Sequence, residues 1–492
     1  MTDDLSKKAA KALKWSSITE IAAKIISPVV NMLLARILAP EAFGMLATVT
    51  MVISFAEVFV ESGFQKFLIQ HNFESQKRGQ QFMSVAFWTN LIFSFVIWGM
   101  VIGFRDFLAA LAGNEGLGLP IALTGVTIPL FGIIGIQNSQ LRKELEFKKL
   151  FYVRLVSSLI PLVVTLPLAI LGMGYWSLII GNIVGILVRS VSLAFVGKFK
   201  PSFYFNFLDL RQMLRAGVWT ITDGVAMWMT NWIDSLLIAH YMSEYYLGLY
   251  KNSVATVTSI FGIITAALTP VLFTVLSRLQ NDTERFNHTF LSTQRVLSVF
   301  LLPIGFGMFL YRDLVTGILF GESWIEATDI VGIIALTTAL RTIFISIYGE
   351  AYRAKGKFYV PLIRQLIDLS ILIPTCILSV QNGFWTLVYA RAFIKLDLII
   401  VDAFLIWLIC RISLKQTIKT IFPSMVATLS MVGVVILLQH IGDSTLWSIA
   451  SICISAVIYF AVLFCFRVER NTFWLPIKEK LLRNDARNDQ DI

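Results

Sequence analysis

Cations set inside apolar sequence are the residues of this chain best placed to do chemistry. Ten occur: Lys24, Arg36, Arg154, Arg189, Lys251, Arg295, Arg341, Arg364, Arg391 and Lys395. In a bilayer core each costs about 2.5–3.5 kcal/mol, so each needs water, a partner or a route to the surface. Arg36, Arg154 and Lys251 lie near the ends of their segments and can snorkel. Lys24 has Glu20 one turn before it, and Arg364 has Asp368 one turn after it. Arg341, Arg391 and Lys395 lie deeper. Arg391, Lys395 and Asp402 share one helix face, at spacings of 4 and 7. The chemistry open to such a set is countercharge along a hydrated path.

Polar stripes mark three further faces. Ser17, Glu20, Lys24, Ser27 and Asn31 are spaced 3, 4, 3 and 4, which places them on one face of a helix. Thr50, Ser54, Glu57 and Glu61 do the same in the next segment, and Asp223, Met227, Thr230 and Asp234 in the seventh. Three wet faces imply a central cavity. The acids Glu20, Glu57, Glu61, Asp223 and Asp234, with Asn31, either hold a coupling cation there or neutralise nearby arginines. Trp228 and Trp232, one turn apart, offer a surface on which a sugar ring stacks, or they simply pack between helices. Pro28 and Pro270 are hinges or static kinks.

Enzyme signatures are missing from the sequence. There is no phosphate-cradling glycine loop and no nucleophile elbow. His71, His240, His288 and His440 are scattered, and Cys376, Cys410, Cys453 and Cys465 show no metal spacing. No catalytic residue, metal or cofactor is expected.

The elements that must hold these residues are transmembrane helices. Of 492 residues 57% are hydrophobic and 15% charged, against about 25% charged in soluble domains. Fourteen apolar segments lie near 15–38, 43–62, 82–104, 117–140, 150–171, 175–197, 215–239, 247–275, 288–311, 327–352, 358–380, 384–410, 419–439 and 446–466. The first is too long for a signal peptide and should stay in the mature protein. With the amino terminus in the cytoplasm, the inside segments and their edges hold 29 of the 41 Lys and Arg residues, and the outside loops hold only Arg105 and Arg312. That bias fixes the orientation, with both termini cytoplasmic. It also assigns the net charge of +10 to the membrane surface, not to nucleic acid.

The chain repeats at an offset of 204 residues: Lys11, Ala12, Trp15, Leu33, Ala35 and Gly44 fall on Arg215, Ala216, Trp219, Leu237, Ala239 and Gly248. Two parallel six-helix lobes follow, 15–197 and 215–410, joined by a cytoplasmic linker, 198–214. An amphipathic amino terminus, 1–14, precedes them. Two extra helices, 411–466, and a basic surface tail, 467–492, follow.

The elements KWSSITEIAAKIISPVVNMLLARILAPEAFG, ESGFQKFLIQ, RKELEFKKL, LGLYKNSVAT, VLFTVLSRLQNDTERF and LFGESW, in this order, resemble the polysaccharide-exporting branch of the multidrug/oligosaccharidyl-lipid/polysaccharide flippase superfamily. Within it the chain looks most like the Wzx-type flippases of colanic acid and related exopolysaccharides. The resemblance implies two six-helix lobes in a V around a central cavity, in the inner membrane of a bacterium. It implies moving an undecaprenyl-diphosphate-linked oligosaccharide to the outer leaflet, beside a polymerase and a chain-length regulator. Coupling would come from protons, sodium or the membrane potential. By position, Lys24 and Arg36 match basic residues of the family's first helix, and Lys251 lies in its Tyr-x-Asn element, here Tyr250, Lys251 and Asn252. Arg341, Arg391 and Lys395 join them as candidates for binding the diphosphate. The acids Glu57, Glu61, Asp223 and Asp234 depart from an anion-friendly cavity. Two rivals are a cation-coupled drug exporter of the same superfamily and a polymerase or ligase acting on the same lipid. Outside loops of about fifteen residues or fewer speak against the latter.

Overall fold

The computed structural model describes residues 2–60, 64–71, 73–197, 199–357, 359–442 and 444–470; side chains at 2–14, 16, 17, 20, 66, 70, 215–219, 267 and 269–271 lie outside that description. The chain is an all-α polytopic membrane protein. Its helices run α1 (Thr2–Ala35), α2 (Pro40–Val60), α3 (Phe64–Gln70), α4 (Gln76–Gly103), α5 (Arg105–Leu111), α6 (Gly118–Thr124), α7 (Thr127–Lys143), α8 (Phe147–Ile160), α9 (Leu166–Ile170) and α10 (Tyr175–Val196). They continue as α11 (Phe207–Tyr241), α12 (Glu244–Arg278), α13 (Thr283–Leu310), α14 (Arg312–Leu319), α15 (Thr328–Ile345), α16 (Tyr348–Ala354), α17 (Val360–Val380), α18 (Phe384–Cys410), α19 (Leu414–Gln439), α20 (Thr445–Cys465) and α21 (Arg467–Glu469).

Each apolar segment falls on helix, and polar residues set the starts. Ser75, Asn206, Asp282, Ser413 and Ser444 cap α4, α11, α13, α19 and α20 with their side chains. Segments read as single helices are interrupted in three places, one of them a turn at Ser346 and Ile347 between α15 and α16. A turn at Gly125 and Val126 separates α6 from α7. Pro161, which has no N–H to donate, opens a π-helical turn over Pro161–Thr165 between α8 and α9. Pro28, by contrast, sits within an unbroken α1.

Among the described residues eleven stretches are long and apolar enough to cross a membrane. Ile21–Ala35 of α1 is apolar but shorter, and α11 and α18 are not among the eleven. These are helices that carry candidate site residues. In α11 and α18 polarity is the cost of what they hold.

The chain divides into two compact units. The first comprises Met1–Pro270, Ile318–Ile330 and Tyr359–Ile394. Its core joins Val49, Ile53 and Val60 of α2 to Val101, Ile121, Ile128 and Ile179. Trp324 is fully buried there. Its indole donates to the Ala35 carbonyl at 2.8 Å, capping the end of α1, and its ring meets Phe43 edge-on at 5.2 Å. Half of the expected linker is helix: α11 begins at Phe207, and buried Asp209 is gripped through both oxygens by Arg78 at 2.7 and 3.1 Å.

The 204-residue repeat has a physical counterpart within this unit. A methyl placed on Gly44 would strike the Glu244 carbonyl, and one placed on Gly248 would strike the Pro40 carbonyl. Gly248 and Glu244 are the repeat mates of Gly44 and Pro40. The starts of α2 and α12 thus cross reciprocally, backbone against backbone.

The second unit comprises Val271–Gly317, Val331–Phe358 and Lys395–Ile492. Val299, Tyr311, Ala427, Met431, Val435, Tyr459 and Leu463 form a cluster in it. One residue at the start of the basic tail turns inward. Glu469 is 0% exposed, 3.2 Å from Arg295. Burial pushes its carboxyl above the ordinary range while Arg295 pulls it back. Within 467–470 Glu469 alone is buried, while Arg467, Val468 and Arg470 are exposed; the rest of the tail, 471–492, lies outside the described residues.

Candidate functional site

The candidate site in the first unit is built around Asp234, which is 3% exposed on α11. Its Oδ1 accepts from the Ser235 amide at 2.6 Å and the Ser235 hydroxyl at 3.0 Å. Its Oδ2 accepts from Tyr250 Oη of α12 at 2.8 Å and from Arg391 Nε of α18 at 2.7 Å. Arg391, 7% exposed, also donates to the Thr230 carbonyl at 2.8 Å. Gln365 of α17 donates to the Thr230 hydroxyl. Four helices are thereby tied around one carboxylate and one guanidinium.

The charges cancel, which is what makes burial affordable. Arg391 and Asp234 entered as candidates for opposite roles, one for an anion and one for a cation. Here they neutralise each other. With both oxygens filled, Asp234 presents no open face to an inorganic ion.

Lys251 is left over. It is half-buried on α12, donates to the Asn231 carbonyl at 2.9 Å, and holds its ammonium 3.6 Å from the centroid of Trp232. The Trp232 face is therefore occupied by a cation. Lys251 lies close enough to Asp234 to feel its charge, but Arg391 has already balanced that charge. The cluster thus carries one uncancelled positive charge, on a partly accessible group. Its neighbour Asn252 is buried, with Nδ2 lacking a hydrogen-bond partner among the described residues.

The other candidates are distributed. Lys24, half-buried on α1, runs alongside α12 where Gly262 leaves it room: a Cβ there would lie 3.1 to 3.3 Å from its outer atoms. Arg36 is exposed and donates to the Ile318 carbonyl at 3.0 Å, clasping the segment that carries Trp324. Asn31, Glu57 and Asp223 are half-buried on α1, α2 and α11. Glu61 and the side chain of Glu20 lie outside the described residues and side chains. Arg341, half-buried on α15, and Lys395, 7% exposed on α18, belong to the second unit. There Asp402, on α18, accepts from Tyr352 Oη.

Trp228 sits apart from Trp232. Its indole donates to the Met51 carbonyl at 3.3 Å and to Ser54 Oγ at 3.1 Å, and its ring lies 4.7 Å from Phe55. It lines a cavity of about 760 Å³ walled by Val52, Phe59, Phe93 and Met100, a hydrocarbon-like setting.

The structure therefore brings Asp234, Lys251, Trp232 and Arg391 together. Sequence reasoning missed Tyr250, Thr230, Ser235 and Gln365 as their partners. Only the adjacency of Tyr250 to Lys251 hinted at it.

Removing the Lys251 charge is expected to be structurally mild. Lys251→Met gives up one hydrogen bond and one cation–π contact, together about 1–2 kcal/mol, and keeps the alkyl stem. A thermal melt of the purified variant checks this. A loss as large as that of a buried ion pair would make Lys251 a structural residue.

Comparison with known proteins is informative at this point. The family model described as polysaccharide biosynthesis protein matches residues 33–329. The succinoglycan biosynthesis transport protein ExoT of Rhizobium meliloti is 25% identical, over 92% of each chain. The lipopolysaccharide biosynthesis protein WzxC of Escherichia coli is 23% identical, over 77% of this chain and 76% of that one. In fold the chain is similar to the lipid II flippase MurJ in an inward closed conformation, with a TM-score of 0.77 at 18% identity, covering 92% of this chain and 98% of that one. An inward-facing multidrug transporter of the MATE family shares the fold more loosely, with a TM-score of 0.56 at 13% identity over 81% of this chain and 100% of that one.

Proposed function

The chain belongs to the polysaccharide biosynthesis protein family and is a transporter of that kind, and on this premise we propose that it flips a lipid-linked oligosaccharide repeat unit across a bacterial inner membrane. The lipid is an undecaprenyl diphosphate, and the direction is from inner to outer leaflet. The glycan headgroup and its diphosphate cannot cross hydrocarbon unaided, because each unpaired polar group and charge is too costly there. Helices with polar faces give the headgroup a wet route while the tail stays in lipid. The halves 15–197 and 215–410 alternate access to the two leaflets. The reciprocal crossing of Gly44 and Gly248 supports their kinship. The positive-inside bias supports cytoplasmic termini.

The observation that carries the reading is the uncancelled ammonium of Lys251 inside a membrane helix. Together with Lys24 it supplies countercharge to the diphosphate. Arg391 is consumed by Asp234, and Arg36 by the Ile318 carbonyl, so both act by holding the frame. A coupling ion, if one is used, meets Glu57 or Asp223 in place of Asp234.

Deleting the gene tests this in the cell. Surface polymer is expected to disappear, with lipid-linked repeat units accumulating on the cytoplasmic leaflet. Lys251→Met is expected to reproduce the phenotype at normal protein levels. Unchanged polymer with lowered drug resistance would instead select the drug-exporter reading.

A further inference from the structure

The segment between α10 and α11 has no part in the site just described, and its surface pattern is the reverse of a soluble loop's. Phe203, Phe205 and Phe207 are 96%, 59% and 67% exposed, and Leu208 is 71% exposed. The polar residues among them turn inward. Tyr204 and Asn206 are half-buried and Asp209 is buried. Arg78 of α4 donates to Tyr204 Oη at 3.2 Å and grips Asp209. Asn206 Oδ1 accepts from the Leu208 amide at 2.8 Å, capping α11. In water such a loop would show its polar groups and hide its rings.

This arrangement is built, not slack. The Trp88 indole donates to the Ser202 carbonyl at 2.9 Å, and its ring stacks on Phe203 with centroids 5.2 Å apart. The Ser202 amide donates to Ser84 Oγ at 3.2 Å. Phe199 is buried in a cluster with Phe82, Val85 and Met213. The segment is thus a strap fastened on its inner side, with a row of rings held outward. What covers that row follows from the helix the strap leaves. Leu187, Val191 and Phe195 recur every four residues on α10 and are 45%, 45% and 87% exposed, a ridge along one face. This helix is long and apolar enough to cross a membrane, so its ridge meets lipid. The strap begins where that lipid face ends, and exposed Lys200 and Arg211 flank its rings. Aromatic rings between cations, at the end of a spanning helix, fit the boundary between acyl chains and headgroups.

We propose that residues 203–208 are an interfacial anchor lying in the bilayer leaflet where α10 ends, which is the cytoplasmic one by the positive-inside reading. The rings of Phe203, Phe205 and Phe207 lie among the upper acyl methylenes, and Lys200 and Arg211 reach the headgroup phosphates. The stretch expected to be a linker in the cytoplasm is then partly a membrane element. Through Arg78 and Trp88 it also ties the start of α4 to the same leaflet.

The test is spin labelling of the full chain in liposomes of phosphatidylethanolamine and phosphatidylglycerol. In a background of Cys376→Ala, Cys410→Ala, Cys453→Ser and Cys465→Ser, single labels are placed by Phe203→Cys, Phe205→Cys or Phe207→Cys. Phe195→Cys is the lipid reference, and Glu284→Cys, at the exposed start of α13, is the water reference. Oxygen, which concentrates in hydrocarbon, is expected to relax the three strap labels several times more effectively than a water-soluble nickel chelate, as at Phe195→Cys. The order reverses at Glu284→Cys. A chelate effect exceeding oxygen's at all three strap positions places the strap in water and overturns the proposal. Low collision rates with both reagents, rising as the protein is diluted in lipid, place a second protein molecule over the row and also overturn it. Each labelled variant is melted against its background. Should Phe203→Cys fall short through loss of its Trp88 stack, Phe205→Cys and Phe207→Cys decide the question. No readout here depends on transport, so the proposal stands or falls apart from the flippase reading.

Discussion

Arg391→Ala is expected to cost the fold about 3–5 kcal/mol, the usual penalty for stranding one member of a buried ion pair. The Asp234 carboxylate would stay 3% exposed with its only bonded cation among the described residues gone, and Tyr250 and Ser235 alone do not balance its charge. Asp234→Asn strands the guanidinium instead and is expected to cost a similar amount. The double variant Asp234→Asn/Arg391→Gln removes both charges and keeps hydrogen-bonding groups, so it is expected to recover most of the loss. That non-additivity is the signature of the pair. Thermal unfolding of the four proteins in one detergent measures it. Single-variant losses below about 0.5 kcal/mol, or strictly additive losses, would mean the pair is wet and weak.

The second large effect has an unusual sign. Gly→Ala inside a helix ordinarily stabilises by up to about 1 kcal/mol. At Gly44 and Gly248 the added methyl meets a backbone carbonyl of the other helix hairpin, which no rotamer can move aside. Gly44→Ala and Gly248→Ala are therefore expected to destabilise by about 1–3 kcal/mol each, and valine by more. Gly99→Ala is the control, because a Cβ there meets nothing within 4 Å. It should be neutral or mildly stabilising. Equal behaviour at all three positions would show that the crossing is looser than described.

Much of this architecture was legible because membrane helices advertise themselves. A twenty-residue apolar run has few other fates, and its backbone must satisfy itself. Even α11 and α18 were visible, since their charges are spaced within long apolar stretches. The breaks were harder. Pro28 and Pro161 look alike in sequence, yet only the second opens a π turn, a difference set by packing around each helix. The site was half legible for a related reason. That Asp234 and Arg391 needed partners followed from desolvation alone, but 157 residues separate them and no spacing rule reaches that far. Likewise the Trp324 motif, LFGESW, was visible as a pattern. Its task of closing the end of α1 needed coordinates. The burial of Glu469 was not legible in its basic and polar neighbours, and the half-buried Arg295 beside it is what accompanies it below the surface.

The central claim is movement of a lipid-linked glycan without covalent change. Purified protein reconstituted in liposomes with a lipid-linked oligosaccharide on one leaflet tests it most directly, with a membrane-impermeant glycan-cleaving enzyme reporting which leaflet holds the headgroup. Wild-type protein is expected to make the protected half accessible within minutes, and Lys251→Met to leave it protected, with the lipid chemically unchanged in both. Liposomes in which the wild-type protein leaves that half as protected as protein-free liposomes do, under every ion gradient and membrane potential imposed, would contradict the account.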